Sequence, residues 1–473
     1  MTLTLIFVSI GVAALLGLLV RNHGRLPLLL GISALAVYAL QPALPVRGLD
    51  FWLPTGTLAL AVLAWALTTP REQRSWRANW LAVVILAGIV VLLGLTRYLD
   101  FSLPLPASRP PQTLQILIGL GAVALLAFLL TRFTQPGKAA LTTAFVFVLL
   151  LFVVLKVPAL AALVSSWLRS LNQQSTKLAS ALDLRWLGFS YIAFRLLHTI
   201  RDRQSGRLPA VSLAEYVSYV IFFPALTAGP IDRIERFVGD LRRPLALTAG
   251  DLGEAGQRLV LGLFKKFAVA DGLALIAMNA TNALQVRTAG WGWVLLYAYA
   301  FQIYFDFSGY TDIAIGLGRL MGIRLPENFK APYLKPNLTQ FWNNWHMTLT
   351  QWIRAYFFNP ITRALRSTKK PLPMAVIIFI TQVSTMLLIG LWHGITLNFV
   401  FWGLWHGLGL FIHNRWSELT KARFAALSPA WQKGLNVGGT LLTFHFVALG
   451  WVFFALPEPA SSVHFLRVLF GLG

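Results

Sequence analysis

Apolar runs long enough to cross a bilayer recur along this chain, separated by short polar stretches. A hydrocarbon layer of about 30 Å takes about 20 helical residues to span. Six candidate runs fill the N-terminal part: 2–20, 26–42, 51–69, 79–97, 113–131 and 141–168. The first lacks a basic leader and a small-residue cleavage site, so it reads as a retained span and not a removed signal peptide. Helices satisfy every backbone polar group internally, and the weak alternation of membrane strands is absent, so the pattern predicts an all-α polytopic membrane protein. These runs carry almost no charge or histidine, and residues 1–182 read as transmembrane scaffold helices.

The texture changes from about residue 183. Aromatics, glycines and isolated polar residues interrupt the apolar runs at "RWLGFSYIAFRLLHTI", "FFPALTAGPIDRIERF", "FQIYFDFSGYTDIAIGLGRLMG" and "GLWHGITLNFVFWGLWHGLG". Polar groups at membrane depth are costly and normally face a cavity or another helix, so function is expected between 183 and 456, with 457–473 as a C-terminal tail. Pro224 and Pro230 predict shortened or re-entrant helices there. The segment 337–357 reads as one amphipathic helix. Leu338, Phe341, Trp342, Trp345, Leu349, Trp352, Ile353 and Tyr356 form its apolar stripe, with Asn343, Asn344, Thr348, Gln351 and Arg354 opposite. Asn337 is placed to cap it, with Gln340 reaching back.

Composition agrees with a membrane protein: 57% of residues are hydrophobic and 12% charged. The net charge of +23 would suggest nucleic acid in a soluble protein. Here the basic residues fall in short runs between spans ("REQRSWR", "RDRQSGR", "RSTKK"), as cytoplasmic loops do, so anionic lipids are the expected partners and nucleic acid is not. An anionic cytoplasmic ligand, such as a nucleotide-bearing thioester or an acidic carrier protein, is compatible with them. The absence of cysteine excludes disulfides, thiolate metal sites and a covalent cysteine intermediate.

Of the eight histidines, His23, His413 and His464 lie in polar connections, and His198 and His445 read as hydrogen-bonded structural residues on apolar helices. His346, His393 and His406 remain. On one straight helix His393 and His406 would sit about 220° apart, so the repeated GLWHG need not mean a paired site. His406 would instead serve as a tryptophan-flanked hydrogen-bond donor between helices. Asp306 and Asp312 could bind a cation, orient a histidine or tie helices together, and the nearby small residues favour the last. A neutral imidazole can take a proton from a hydroxyl attacking an activated carbonyl, which is acyl transfer.

The run from "YFDFSGYTD" through "NLTQFWNNWHMTLTQWIRAYFF" to "GLWHGITLNFVFWGLWHGLGL", with the upstream "LGFSYIAFRLLHTI" and "GPID" motifs, resembles the membrane-bound O-acyltransferase family over about residues 185–456. Within it the similarity is to the bacterial branch that modifies surface polymers, by alginate or cellulose O-acetylation or by D-alanylation of teichoic acids. The family's signature histidine aligns with His393, and the histidine of its W-x-x-W-H motif with His346. The resemblance implies a ring of tilted helices around a central tunnel, with re-entrant and amphipathic helices. It implies His393 as general base or holder of the acceptor hydroxyl, and His346 as a tunnel residue positioning a thioester. Trp342, Asn343, Asn344, Trp345, Trp392 and Asp306 would shape the passage. No metal and no bound cofactor are expected.

The activity so implied is transfer of an acyl group, acetyl from cytoplasmic acetyl-CoA, across the inner membrane for O-acetylation of an exopolysaccharide. Expected partners are the acyl-thioester donor, a periplasmic acyltransferase or acceptor protein, and a polysaccharide synthesis or export complex. Two alternatives stay open: D-alanyl transfer from an acylated carrier protein, and a proton-coupled transporter using Asp306, His346 and His393 as a relay. A transporter of this size commonly carries internal repeats, and only the five-residue GLWHG repetition is found.

Overall fold

The computed structural model describes residues 3–19, 24–99, 105, 107–133, 137–370 and 372–472; His23 lies outside them. The chain is 78% helical, with no strand among the described residues. The apolar runs become α1 (Leu3–Leu19), α2 (Arg25–Leu40), α3 (Leu49–Thr68), α4 (Trp76–Leu95), α5 (Thr113–Phe133), α6 (Lys138–Lys156) and α7 (Pro158–Leu171). The run expected at 141–168 is thus two helices. Pro158 has no amide hydrogen and pushes Val157 out of the helical region, to φ −87° and ψ 111°, so one helix stops where the next begins.

After these come α8 (Phe189–Gln204), α9 (Leu213–Val220), α10 (Ile234–Arg242), α11 (Ala249–Leu263), a π-helical segment Phe264–Ala270, α12 (Asp271–Ala274), α13 (Asn282–Gln285) and the long α14 (Ala289–Leu320). The remainder holds α15 (Leu338–Asn344), α16 (Met347–Ile353), a second π segment Arg354–Phe358, α17 (Asn359–Arg366), α18 (Met374–His393), α19 (Leu397–Ala425), α20 (Pro429–Ala455) and α21 (Pro459–Leu469). Among the described residues six helices are long and apolar enough to cross a membrane: Leu49–Thr68, Trp76–Tyr98, Thr113–Arg132, Lys138–Lys156, Met374–His393 and Pro429–Ala455.

The helices form two compact units, the first comprising the chain to Leu259 with Ile313–Pro326, the second Val260–Asp312 with Glu327 onward. In the first, the expected break near Pro224 is present: α9 has only eight residues and gives way to a 3-10 turn at Phe223–Ala225. The carbonyls this break frees cannot turn to water, and buried Arg195 on α8 satisfies them, donating to the oxygens of Tyr219, Val220 and Ala225 at 3.1, 2.8 and 2.8 Å. Ser212 and Glu215 close a capping box at the start of α9, and Arg242 Nε donates to Glu215 at 2.6 Å.

In the second unit, α18 and α19 pack as a helical hairpin joined through Gly394, Ile395 and Thr396. Its closeness explains the glycines of the repeated motif. A Cβ on Gly403 would lie 2.8 Å from the Met386 carbonyl oxygen, and one on Gly407 would lie 2.9 Å from Val383 Cα. Small residues at these positions let two backbones touch, the usual device for helix association in lipid. Because the chain turns between His393 and Leu397, the two GLWHG histidines do not lie on one straight helix but on opposite arms of the hairpin.

Candidate functional site

The segment expected as one amphipathic helix from 337 to 357 is broken in its middle. Asn337 caps α15 as expected, its side chain accepting from the Gln340 amide at 2.9 Å. The helix then ends at Asn344, Trp345 is extended, and His346 takes a left-handed conformation with φ 44° and ψ 52° before α16 begins. The apolar stripe was real, since Phe341, Trp342, Trp345, Leu349 and Ile353 are all buried, but burial of two short helices satisfies it as well as one long helix would. A non-glycine residue in the left-handed region is costly, by about 1–2 kcal/mol, and persists only where its surroundings enforce it.

Those surroundings belong to the preceding loop. The Lys330 amide donates to the Asn344 carbonyl at 3.1 Å, and the Met347 amide donates to the Asn328 carbonyl at 2.9 Å, so the break is stitched to residues 328–330 on both sides. The Asn328 side-chain oxygen accepts from the Thr348 amide at 3.1 Å and the Thr348 hydroxyl at 2.9 Å, and faces His346 Nδ1 at 3.1 Å. The Thr348 amide is a donor only, which identifies this atom of Asn328 as the acceptor oxygen. His346 Nδ1 therefore carries the proton, and Nε2 keeps its lone pair. Burial, with no charge beside it, holds the imidazole well below its ordinary value, so the ring is neutral at physiological pH.

His346 Nε2 is buried and has no hydrogen-bond partner among the described residues. Its ring packs edge-on against Phe307, centroids 4.7 Å apart. His393 arrives from a different element, as the last residue of α18, and is ringed by Trp392, Phe454 and Trp402 at 4.5, 4.8 and 5.8 Å. The two histidines wall one small cavity of about 60 Å³, whose other walls include Ile303, Trp345, Leu349 and Trp451. A largely apolar chamber with two imidazoles is suited to proton transfer at a carbonyl shielded from bulk water.

A second cavity of about 300 Å³ shares Trp342, Thr350 and Ile389 with the first. Asn343, Arg354, Gln382, Thr385 and Asn414 give it a polar wall. Gln382 Oε1 and Thr385 Oγ1 are buried with no hydrogen-bond partner among the described residues. Gln382, Thr385, Ile389 and His393 recur at three- and four-residue spacing, so one face of α18 runs past the larger cavity and ends at the histidine, about 16 Å further along. A larger depression of about 560 Å³ beside His464 and Arg467 is open at the surface, and neither His346 nor His393 borders it.

The remaining expected residues separate. Trp342 lines both cavities, Trp345 the smaller and Asn343 the larger, where its side-chain oxygen accepts from Arg354 at 2.7 Å. Asn344 holds the helix break, donating to the Gln340 carbonyl at 2.7 Å, and Trp392 supports the rings of both histidines. Asp306 borders neither cavity and pairs with Lys266, while Asp312 pairs with Lys265 at 2.6 Å. His406 also stays out of the chamber. It is fully buried among Trp402, Trp342 and Phe446, at 4.9, 5.1 and 5.8 Å, and neither ring nitrogen has a partner among the described residues. It is an aromatic packing residue rather than the expected hydrogen-bond donor. His445 is hydrogen-bonded, to Tyr297 at 2.8 Å and the Leu441 carbonyl at 2.7 Å. Asn328 escaped the sequence analysis because nothing in the loop "PENFK" marks it; only the break at His346, itself not visible in the pattern, gives it a role.

The family model for membrane-bound O-acyltransferases matches residues 131–450. Among curated proteins, a probable alginate O-acetylase of Pseudomonas syringae pv. tomato is 38% identical over 61% of this chain and 52% of its own length. A teichoic acid D-alanyltransferase of Streptococcus thermophilus is 32% identical over 58% of this chain and 68% of its own length. A peptidoglycan O-acetyltransferase of Helicobacter pylori is 33% identical over 54% and 47%. The chain spans about half the length of the alginate O-acetylases it matches.

Proposed function

The chain belongs to the membrane-bound O-acyltransferase family, and from that premise we propose that this multi-pass membrane protein transfers an acyl group, acetyl from cytoplasmic acetyl-CoA, across the inner membrane for O-acetylation of an exopolysaccharide. The observation that carries the proposal is the shared chamber of His346 and His393, two imidazoles from separate elements in an apolar enclosure of about 60 Å³. In the mechanism proposed, an acceptor hydroxyl attacks the thioester carbonyl while His393 takes its proton. The thiolate leaves as the tetrahedral intermediate collapses, and the proton from His393 returns to it. His346 cannot donate from Nε2, because Asn328 holds the proton on Nδ1; it accepts a hydrogen bond from an N–H or O–H of the substrate and so fixes the carbonyl.

The larger cavity supports a thioester arm as donor. Its orphaned Gln382 and Thr385 oxygens suit amide hydrogens of an extended chain, and the face of α18 leads from them to His393. The acceptor hydroxyl belongs to a periplasmic acyltransferase, which then modifies the polymer together with its synthesis or export complex. The relatives named as D-alanyltransferases support a second reading, D-alanyl transfer from an acylated carrier protein.

The test is thioester turnover by the purified protein in liposomes, supplied in turn with acetyl-CoA and with D-alanyl carrier protein. Turnover of acetyl-CoA that His393→Ala abolishes is the expected result, and turnover of the carrier alone selects the second reading. Thioester consumption and surface acylation that both survive His393→Ala in a stably folded protein would overturn the mechanism.

A further inference from the structure

The first unit holds a cluster of potential ligands that the acyl-transfer chemistry does not use. His198 and Asp202 lie four residues apart on α8, on one face a turn apart, and their side chains are only 1% and 3% exposed. Glu235, in the first turn of α10, approaches them from the other side and is 43% exposed. His198 Nε2 is 3.5 Å from Asp202 Oδ2 and 3.7 Å from Glu235 Oε2, and the three ligand atoms all lie within 4.8 Å of one another. Ligands about 2.1 Å from a tetrahedral metal stand about 3.4 Å apart, so the imidazole already has nearly the right spacing to each carboxylate.

We propose that His198, Asp202 and Glu235 bind a divalent transition-metal cation of the zinc type, which ties α8 to α10 across the loop containing Gly229, Pro230, Ile231 and Asp232. One imidazole nitrogen and two carboxylate oxygens are a donor set that zinc-type cations accept and that the all-oxygen preference of calcium or magnesium does not favour. Arg207 pairs with Asp202 through Oδ1 at 2.9 Å, and Arg233 meets Glu235 at Oε1, 3.6 Å away, so each guanidinium engages the carboxylate oxygen that does not face His198. Such outer contacts orient ligating carboxylates in metal sites. The exposed side of Glu235 gives the ion a way in and leaves room for water in the fourth position.

The sequence pattern did not bring these residues together, because Glu235 is separated from Asp202 by the whole of α9 and the turns around it. The experiment uses the full chain in detergent. Elemental analysis of protein purified without chelator should find about one zinc per chain. After stripping with a chelator, zinc added back should bind saturably in calorimetry and raise the thermal midpoint. Glu235→Gln, a half-exposed change that leaves the buried pair intact, should keep the midpoint of the stripped protein while weakening zinc binding by about tenfold or more. Absence of saturable zinc binding, undiminished binding in Glu235→Gln, or equal affinity for magnesium would overturn the proposal.

Discussion

His346 Nδ1 lies 3.1 Å from the side-chain oxygen of Asn328, an atom that also accepts from the amide and the hydroxyl of Thr348. That oxygen decides which nitrogen of the imidazole is free. Asn328→Ala releases the ring to its other tautomer and removes the anchor of the strained turn, so kcat for acyl transfer should fall about 10- to 100-fold, as losses of outer orienting groups do. The KM for the thioester should change little. Thr348→Val removes one of the three hydrogen bonds without touching the tautomer and should cost far less activity. Steady-state kinetics of both variants check this, and a kcat for Asn328→Ala within about threefold of wild type would refute the tautomer assignment.

The two GLWHG histidines should respond oppositely. His393→Ala should abolish turnover, a loss of about 10²-fold or more for a general base, while leaving the yield and thermal midpoint of the protein near wild type. His406→Ala opens a void among Trp342, Trp402 and Phe446 and should destabilise by about 3 kcal/mol, read as a lowered midpoint in detergent. His406→Phe is the sharper variant. Since neither ring nitrogen is paired among the described residues, a phenyl ring of similar volume should keep or raise the midpoint and keep activity. Loss of activity in a well-folded His406→Phe protein would move His406 into the chemistry.

What the sequence disclosed depended on the range of each cause. Spans such as Leu49–Thr68 and Met374–His393 follow from local length and apolarity, and the cap at Asn337 follows from residues three apart, so both are legible. The break before Pro158 was missed, masked by the unbroken apolar run 141–168, although the restriction proline places on Val157 makes it legible. The turn at His346 was not legible. Its neighbours have the spacing of one continuous helix, and what interrupts them is Asn328, eighteen residues upstream and silent in any periodic pattern. His346 and His393 were reached through family resemblance; that they share a chamber is a fact of tertiary structure.

The larger cavity makes a prediction about binding alone. Gln382 lines it, and its Oε1 is buried with no partner among the described residues, about two turns before Ile389 and three turns before His393. If that oxygen accepts a hydrogen bond from the donor arm, Gln382→Leu removes a contact held equally in the ground and transition states. The KM for the thioester should then rise about two- to tenfold, the worth of one ordinary hydrogen bond, with kcat unchanged. A fall in kcat with KM unaltered would place Gln382 outside the donor path.

The charged pairs of α14 with the π segment Phe264–Ala270 test the expectation that Asp306 shapes the passage. Asp306 pairs with Lys266, but its side chain is 47% exposed, and such a pair contributes about 0–1 kcal/mol. Asp312 is 6% exposed and Lys265 26%, so removing the lysine leaves a buried carboxylate without this cation, at a cost of up to about 3–5 kcal/mol. Asp306→Asn should therefore leave the thermal midpoint near wild type and turnover within about twofold of it, whereas Lys265→Met should lower the midpoint sharply. The double change Lys265→Met with Asp312→Leu should recover most of that loss, because two apolar side chains leave no unpaired charge behind. The contrast separates structure from chemistry at both sites: a tenfold or greater loss of turnover in folded Asp306→Asn protein would restore Asp306 to the substrate passage, and failure of the double variant to outlast Lys265→Met would mean that the Lys265–Asp312 pair does more than tie two helical segments together.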